Sequence, residues 1–304
     1  MALLRDLRSE IEKRSLPSGG WASGQSRRAG IETTCYGLIA LAEDRTPVRQ
    51  RAINALLRTK NSDGSWPAFE GDDPEGCWLT SLALITLRVV DADSLPAEKA
   101  TQWLLNNKGR EGHWLWKWKF RIVDRQVQFD PGKYGWPWFP NTVSWVIPTA
   151  FSVIALKKSF PCCRTGQVAN RIQLGMAMLG DRACPGGGWN AGNGIVFGTA
   201  LKPHVDTTAI ALLALAQEDT QPPAREALNW LRGACAECSS AYSLAWASVA
   251  FLVHRDPAVA LCIERLKGSL LSGRSTLNVE TLSLAAIAIN AVEGNANPFR
   301  VDLK

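Results

Sequence analysis

Apolar positions along the chain fall into two kinds of segment that alternate six times. One kind is apolar on nearly all sides and rich in Ala and Leu, near residues 31–42, 78–90, 144–157, 205–217, 242–254 and 279–292. The other kind precedes each of these and carries one charged face, near 2–14, 47–60, 96–107, 165–180, 223–232 and 257–271. Apolar residues recurring at three- and four-residue steps predict a helix for every segment. Pro47, Pro96, Pro223 and Pro257 open four of the amphipathic ones, as suits the first turn of a helix. A helix that is apolar all round must be covered all round. Six amphipathic helices can cover six apolar ones as two concentric rings, inner helices around an axis and outer helices facing water. Strand patterns are scarce. The predicted fold class is therefore all-α: a single (α/α)6 toroid, one α/α barrel domain over residues 1–304.

Self-similarity supports the repeat. Four times a helical segment ends in a glycine and tryptophan loop: Gly19-Gly20-Trp21, Gly64-Ser65-Trp66, Gly112-His113-Trp114 and Gly187-Gly188-Trp189. The last two repeats lack it. One insertion breaks the pattern. Residues 112–140 hold Trp114-Leu115-Trp116-Lys117-Trp118-Lys119-Phe120 and Tyr134-Gly135-Trp136-Pro137-Trp138-Phe139. Their first part alternates apolar and charged residues as a β-hairpin does, so an aromatic-rich loop or hairpin is expected. Loops of this length are usually lids or binding loops. The segment reads as lid-like over one mouth of the barrel, or as a loop packed on its rim or at a dimer contact.

The bulk numbers narrow the partners. The 304 residues are 46% hydrophobic and carry a formal charge of +6. No run of like charge suggests nucleic-acid binding, although a mildly basic surface suits anionic lipids or diphosphates. No apolar run approaches the ~18 residues of a membrane span, and the first residues lack a signal-peptide core. The expectation is a cytoplasmic protein, with a peripheral membrane contact and the oligomeric state left open. The eight cysteines are irregularly spaced and read as reduced thiols. Cys235-Ala236-Glu237-Cys238 lacks the second pair that a zinc site needs.

Candidate chemistry begins at His204-Val205-Asp206-Thr207-Thr208-Ala209. It puts an acid on the first turn of a helix expected to be buried. Setting the inner helices on one another, the position of Asp206 recurs as Glu32 and Glu280, and as Trp78, Ile147 and Tyr242 in the others. Three acids and two aromatics would then ring one rim of a cavity. A helix N-terminus stabilises an exposed carboxylate by roughly 0.3–1 kcal/mol, which alone would account for Glu32 and Glu280. Tyr36, Trp145 and Trp246 join Trp78 and Tyr242 as expected cavity aromatics.

These motifs resemble a family. The Gly-Trp loops match the core of the repeat motif of squalene-hopene and oxidosqualene cyclases, without its leading Gln, where Ser15, Lys60, Lys108 and Ala183 stand. The repeat pattern is similar to the terpene cyclase/protein prenyltransferase α-toroid superfamily across essentially the whole chain. It is closest in pattern to one barrel domain of the squalene-hopene cyclase-like class II terpene cyclases. Their protonating motif reads Asp-x-Asp-Asp-Thr-Ala. Carried over, the first Asp is His204, the middle one is kept as Asp206, the third is Thr207, and Thr208-Ala209 are kept. The resemblance implies a class II-type terpene cyclase or isomerase that protonates an apolar polyprenyl substrate. Asp206 would be the acid and His204 its hydrogen-bonding partner. Glu32, Tyr36, Trp78, Trp145, Tyr242, Trp246 and Glu280 would line the substrate, with no cofactor and no metal. Two alternatives stay open. A non-catalytic isoprenoid or lipid carrier could meet a diphosphate, directly or through Mg²⁺, at Asp72, Asp73, Lys117, Lys119, Arg121 and Arg125. A zinc-dependent prenyltransferase-like protein could draw on Cys35, Cys77, Glu75, Glu32 and His204. In either case the partner is a polyprenyl or terpenoid small molecule.

Overall fold

A computed structural model describes residues 2–24, 26–72, 74–91, 94–122, 128–159, 166–216, 222–273 and 276–301. The inner helices are α2 (Ile31–Ala40), α4 (Leu79–Val89), α7 (Val146–Ser159), α9 (Val205–Ala214), α11 (Ala241–Val253) and α13 (Val279–Val292). Each packs on the next and α13 packs back on α2, so the ring closes. The outer helices are α1 (Ala2–Lys13), α3 (Pro47–Arg58), α5 (Ser94–Asn106), α8 (Gly166–Asp181), α10 (Pro222–Glu237) and α12 (Val259–Gly273). An outer helix packs on the inner helix before it, and α1 completes the second ring by packing on α13. Burial follows the sequence pattern. Every α2 residue except Glu32 is buried, whereas α1 buries only Leu4, Leu7 and Ile11. Local caps start the helices where their residues allow. The Thr46 hydroxyl accepts from the Arg49 amide at 3.3 Å with Pro47 at the first position, and Asn278 accepts from the Thr281 amide at 2.9 Å.

The Gly-Trp loops act as keystones between rings. In each, the tryptophan amide donates to a threonine hydroxyl in the first turns of an inner helix. The pairs are Trp21 to Thr34, Trp66 to Thr80, Trp136 to Thr149 and Trp189 to Thr208, at 3.2, 3.0, 3.0 and 2.9 Å. The indole N–H donates back to the end of the preceding outer helix, at Ile11, Leu56, Leu104 and Leu179, within 2.7–2.8 Å. All four rings are fully buried. In three of the four loops glycine directly precedes the tryptophan, where the threonine crowds any Cβ; the second loop has Ser65 there. A Cβ on Gly188, whose φ is +80°, would lie 2.8 Å from Thr208 Oγ1, and one on Gly135 would lie 2.1 Å from Thr149 Oγ1. Loops also stitch neighbouring repeats. The carbonyls of Ala68, Trp138 and Ala191 accept from the amides of Ile31, Trp78 and Val146, at 3.0 Å each. Amides that a helix start leaves unpaired are thereby satisfied.

Two expectations need correction. The third keystone is Gly135-Trp136, not Gly112-His113-Trp114. Trp114 is 71% exposed, because the chain runs on through the insertion before it meets Thr149. Within the insertion, residues expected to form a hairpin make helix α6 (Trp114–Ile122) after a 3₁₀ turn at Arg110–Gly112. The described strands are the short pair β1 (Ile195–Val196) and β2 (Thr199–Ala200). Buried charges hold the ends of the insertion. Glu111, fully buried, accepts from the Ser144 amide at 3.2 Å, with Arg182 4.0 Å away. Arg171 stacks 3.8 Å from the centre of the Trp136 ring and donates to the carbonyls of Asn107 and Gly135.

Candidate functional site

The inner helices all present their N-termini at one mouth of the barrel. Their first turns place Glu32, Trp78, Ile147, Asp206, Tyr242 and Glu280 there, each half-buried. The shared register follows from the keystones, since Thr34, Thr80, Thr149 and Thr208 sit two residues past Glu32, Trp78, Ile147 and Asp206.

The carboxylates are not equivalent. Glu280 is fixed by its neighbours: Oε1 accepts from the Thr33 hydroxyl at 2.5 Å and the Ser23 hydroxyl at 2.9 Å, and Oε2 accepts from Asn278 Nδ2 at 3.1 Å. Glu32 is pushed up from 4.5 to about 7, first by burial and next by the charge of Glu280, with the facing Tyr36 hydroxyl opposing. Half of the Glu32 side chains are then protonated near neutral pH. Tyr242 is also raised, by burial and then by Glu32, with Asp206 and Glu280 adding to it. Three acids and a phenol therefore share one electrostatic neighbourhood.

One turn deeper, aromatic rings form the floor. Tyr36 and Trp246 are fully buried and meet edge to face at 5.9 Å. Phe151 and Phe299 complete the layer, 5.8 and 5.0 Å from Trp246. Trp78 continues it toward the mouth, 5.5 Å from Phe151 and 5.1 Å from Trp138. Phe299 comes from the segment after α13, so it enters the axis from the opposite end. Phe299→Leu is expected to lower stability by about 1–2 kcal/mol; an unchanged midpoint of urea unfolding would mean that this ring is not part of the packed axis. The floor holds two buried polar atoms that complete no hydrogen bond, Tyr36 Oη and Trp246 Nε1. They face Glu32 and Tyr242 respectively.

The expected lining divides accordingly. Glu32, Glu280, Asp206, Tyr242, Tyr36, Trp246 and Trp78 converge. His204 does not: it is exposed as the residue before α9, its side chain caps nothing, and among the described residues no hydrogen bond joins it to Asp206. Trp145 also lies off the axis, packed 3.1 Å from where a Cβ on Gly192 would sit. Cys35 and Cys77 are raised to about 12 and about 11, chiefly by burial, so neither offers a thiolate near neutrality. Among the described residues, no group of three or more His, Cys, Asp or Glu side chains could hold a metal ion. Asp73 and Arg125 lie outside the described residues. Sequence reasoning missed Phe151, which stands one turn below Ile147 and was findable from the repeat. It also missed Phe299, for which the sequence carries no periodic signal.

No family model and no curated protein sequence matches the chain. Solved structures do. The type II terpene cyclase MstE from Scytonema superposes with a TM-score of 0.57 at 17% identity, over 90% of this chain and 79% of its own. The chain has the α/α-toroid fold of the terpene cyclases. A variant of that cyclase bound to its substrate geranylgeranyl dihydroxybenzoate matches with a TM-score of 0.57 and 17% identity, over 90% of this chain and 78% of its own. An alpha-amylase from Clostridium perfringens shares the toroid with a TM-score of 0.65 at 8% identity, over 94% and 96% of the two chains. Unrelated chemistries use this toroid, so function must be argued from the site.

Proposed function

We propose that the protein is a class II-type cyclase or isomerase that protonates an apolar, polyprenyl-like substrate at the mouth of the barrel, with Glu32 as the proton donor. The observation that carries this reading is the Glu32 carboxyl, raised to about 7 beside Glu280 and above an aromatic floor. A carboxyl that keeps part of its proton population at neutral pH can act as general acid toward a basic oxygen, such as that of an epoxide. The proton passes from Glu32 to that oxygen as its bond to the more substituted carbon breaks, leaving a hydroxyl and a carbocation that a neighbouring double bond attacks. Loss of a proton from the final cation to a rim carboxylate makes the reaction an isomerisation, with no cofactor consumed. The faces of Trp78, Tyr36 and Trp246 stabilise positive charge as it moves, and Asp206 and Glu280 complement it electrostatically. Asp206, expected from the sequence to be the acid, serves here as a second carboxylate, and His204 takes no part. The alternative of a non-catalytic carrier predicts binding at the same mouth without turnover.

The test is incubation of the purified protein with geranylgeranyl dihydroxybenzoate and with polyprenols carrying a terminal epoxide, followed by mass spectrometry. A product of unchanged mass and shifted retention is expected. Saturable binding with no conversion of any of these would establish the carrier instead.

A further inference from the structure

We propose that the cavity at the far end of the barrel, opposite the Glu32 mouth, is a binding site for a small organic phosphate. There the C-terminal ends of α2, α4, α7 and α13 meet the segment after α13 and leave a cavity of about 280 Å³. Ile39, Val89 and Ile287 supply aliphatic wall, and Arg8, Arg88, Lys158 and Asn297 bring donors to it. Ile39 lies seven residues past Glu32 along α2, roughly 10 Å at the rise of a helix. The site is therefore separate from the rim and does not rest on the chemistry proposed there.

Donors on this wall outnumber acceptors. The Arg8 guanidinium contacts Glu43 at 3.3 Å and Asp44 at 3.5 Å, and donates to Asn290 Oδ1 at 3.2 Å. Those contacts answer Glu43, the acid of the wall, and leave Arg8 Nε buried without a partner. Arg88 is half-buried. Its Nε is also buried without a partner, and among the described residues no carboxylate pairs with it. Lys158 brings its ammonium to the same wall, where Nζ donates to the Arg300 carbonyl at 3.2 Å. Asn297 Oδ1 accepts from the Phe299 amide at 3.0 Å, which fixes the amide group, and Asn297 Nδ2 is a third buried donor without a partner. A cation in the last turn of α4 or α7 offsets the negative end of that helix. That accounts for charge at positions 88 and 158. It does not account for three buried N–H groups, from α1, α4 and the last segment, that meet no acceptor around one cavity. A guanidinium fork takes two oxygens of one anion. Donors arriving from three elements suit a tetrahedral phosphate, whose oxygens point in several directions, better than a planar carboxylate. The aliphatic wall beside them fits a short carbon chain on that phosphate.

The experiment is isothermal titration of the full chain with butyl phosphate, inorganic phosphate and butyrate in turn, at fixed ionic strength. Wild type is compared with Arg88→Gln and Lys158→Gln, both at half-buried positions, after thermal melts establish that they fold. Butyl phosphate is expected to bind at least about ten-fold more tightly than inorganic phosphate, through burial of its chain, and more tightly than butyrate. Arg88→Gln should weaken butyl phosphate binding by about ten- to a hundred-fold, the effect of losing charge-assisted hydrogen bonds. Lys158→Gln should weaken it by about three- to ten-fold. Absence of butyl phosphate binding to wild type would overturn the site, as would variants that bind it like wild type. Butyrate that binds as tightly would overturn the choice of phosphate, and inorganic phosphate that binds as tightly would overturn the organic body.

Discussion

Glu32→Gln is expected to abolish turnover while raising the melting temperature above neutral pH. The two effects come from one cause. Glu32 ionises near 4.5 in the unfolded chain and near 7 when folded. Below about pH 4.5 it is protonated in both states and costs nothing. As pH rises toward 7, the unfolded chain releases the proton readily and the folded protein does not, so stability falls; above the folded value the loss is complete. A shift of this size corresponds to about 3 kcal/mol at most, and solvent at the half-buried side chain should reduce the measured effect to about 1–2 kcal/mol. Glutamine cannot ionise and escapes the penalty. Melting temperatures of wild type and variant should coincide near pH 5 and diverge toward pH 8. A constant gap over that range would mean that Glu32 is an ordinary surface acid. The rate profile supplies an independent check. Activity that needs protonated Glu32 should decline as pH rises through about 7, and Glu280→Gln should move that decline to lower pH by removing the facing charge. Gain of stability with loss of activity is the behaviour of a residue held in an unfavourable state for function.

Trp136→Ala should be among the most damaging single substitutions in the protein, and Trp114→Ala among the mildest. Trp136 is fully buried, its amide bonds Thr149, its indole bonds the Leu104 carbonyl at 2.8 Å, and its ring stacks with Arg171. Truncation leaves a cavity, strands the Leu104 carbonyl and unstacks a buried cation, which together suggest a loss of about 3–5 kcal/mol. Trp114 is exposed and supports no such network, so its removal should stay within about 0.5 kcal/mol. Urea denaturation of both variants measures the difference. Equal losses would mean that the insertion is docked through Trp114, and that Gly135-Trp136 is not the third keystone.

Amphipathic and apolar segments alternate strictly enough that the two rings could be read from the chain. Side-chain burial is a local consequence of composition once a helix is formed. The rim register was legible for the same reason: threonines recur at 34, 80, 149 and 208, each two residues past Glu32, Trp78, Ile147 or Asp206, whereas Tyr242 and Glu280 have no such threonine and follow only from aligning the helices. Helix α6 was not legible, because every fourth residue is also every second. Its apolar residues at 114, 118 and 122 satisfy both a hairpin and a helix. Two Gly-Trp pairs flank the insertion, and only the fold decides which reaches Thr149. Asp206, Glu32 and Glu280 look alike in sequence, as acids on the first turns of apolar helices. What separates them is ring closure, which packs α13 on α2 and sets Glu280 beside Glu32 from opposite ends of the chain. Phe299 reaches the axis from a segment with no repeat of its own. The sequence by itself determined which faces are buried and where each inner helix begins, since both depend on residues within a few turns of one another. The tertiary structure alone decided which acid is pushed up toward neutrality and what fills the axis, because both depend on groups that meet only when the ring is closed.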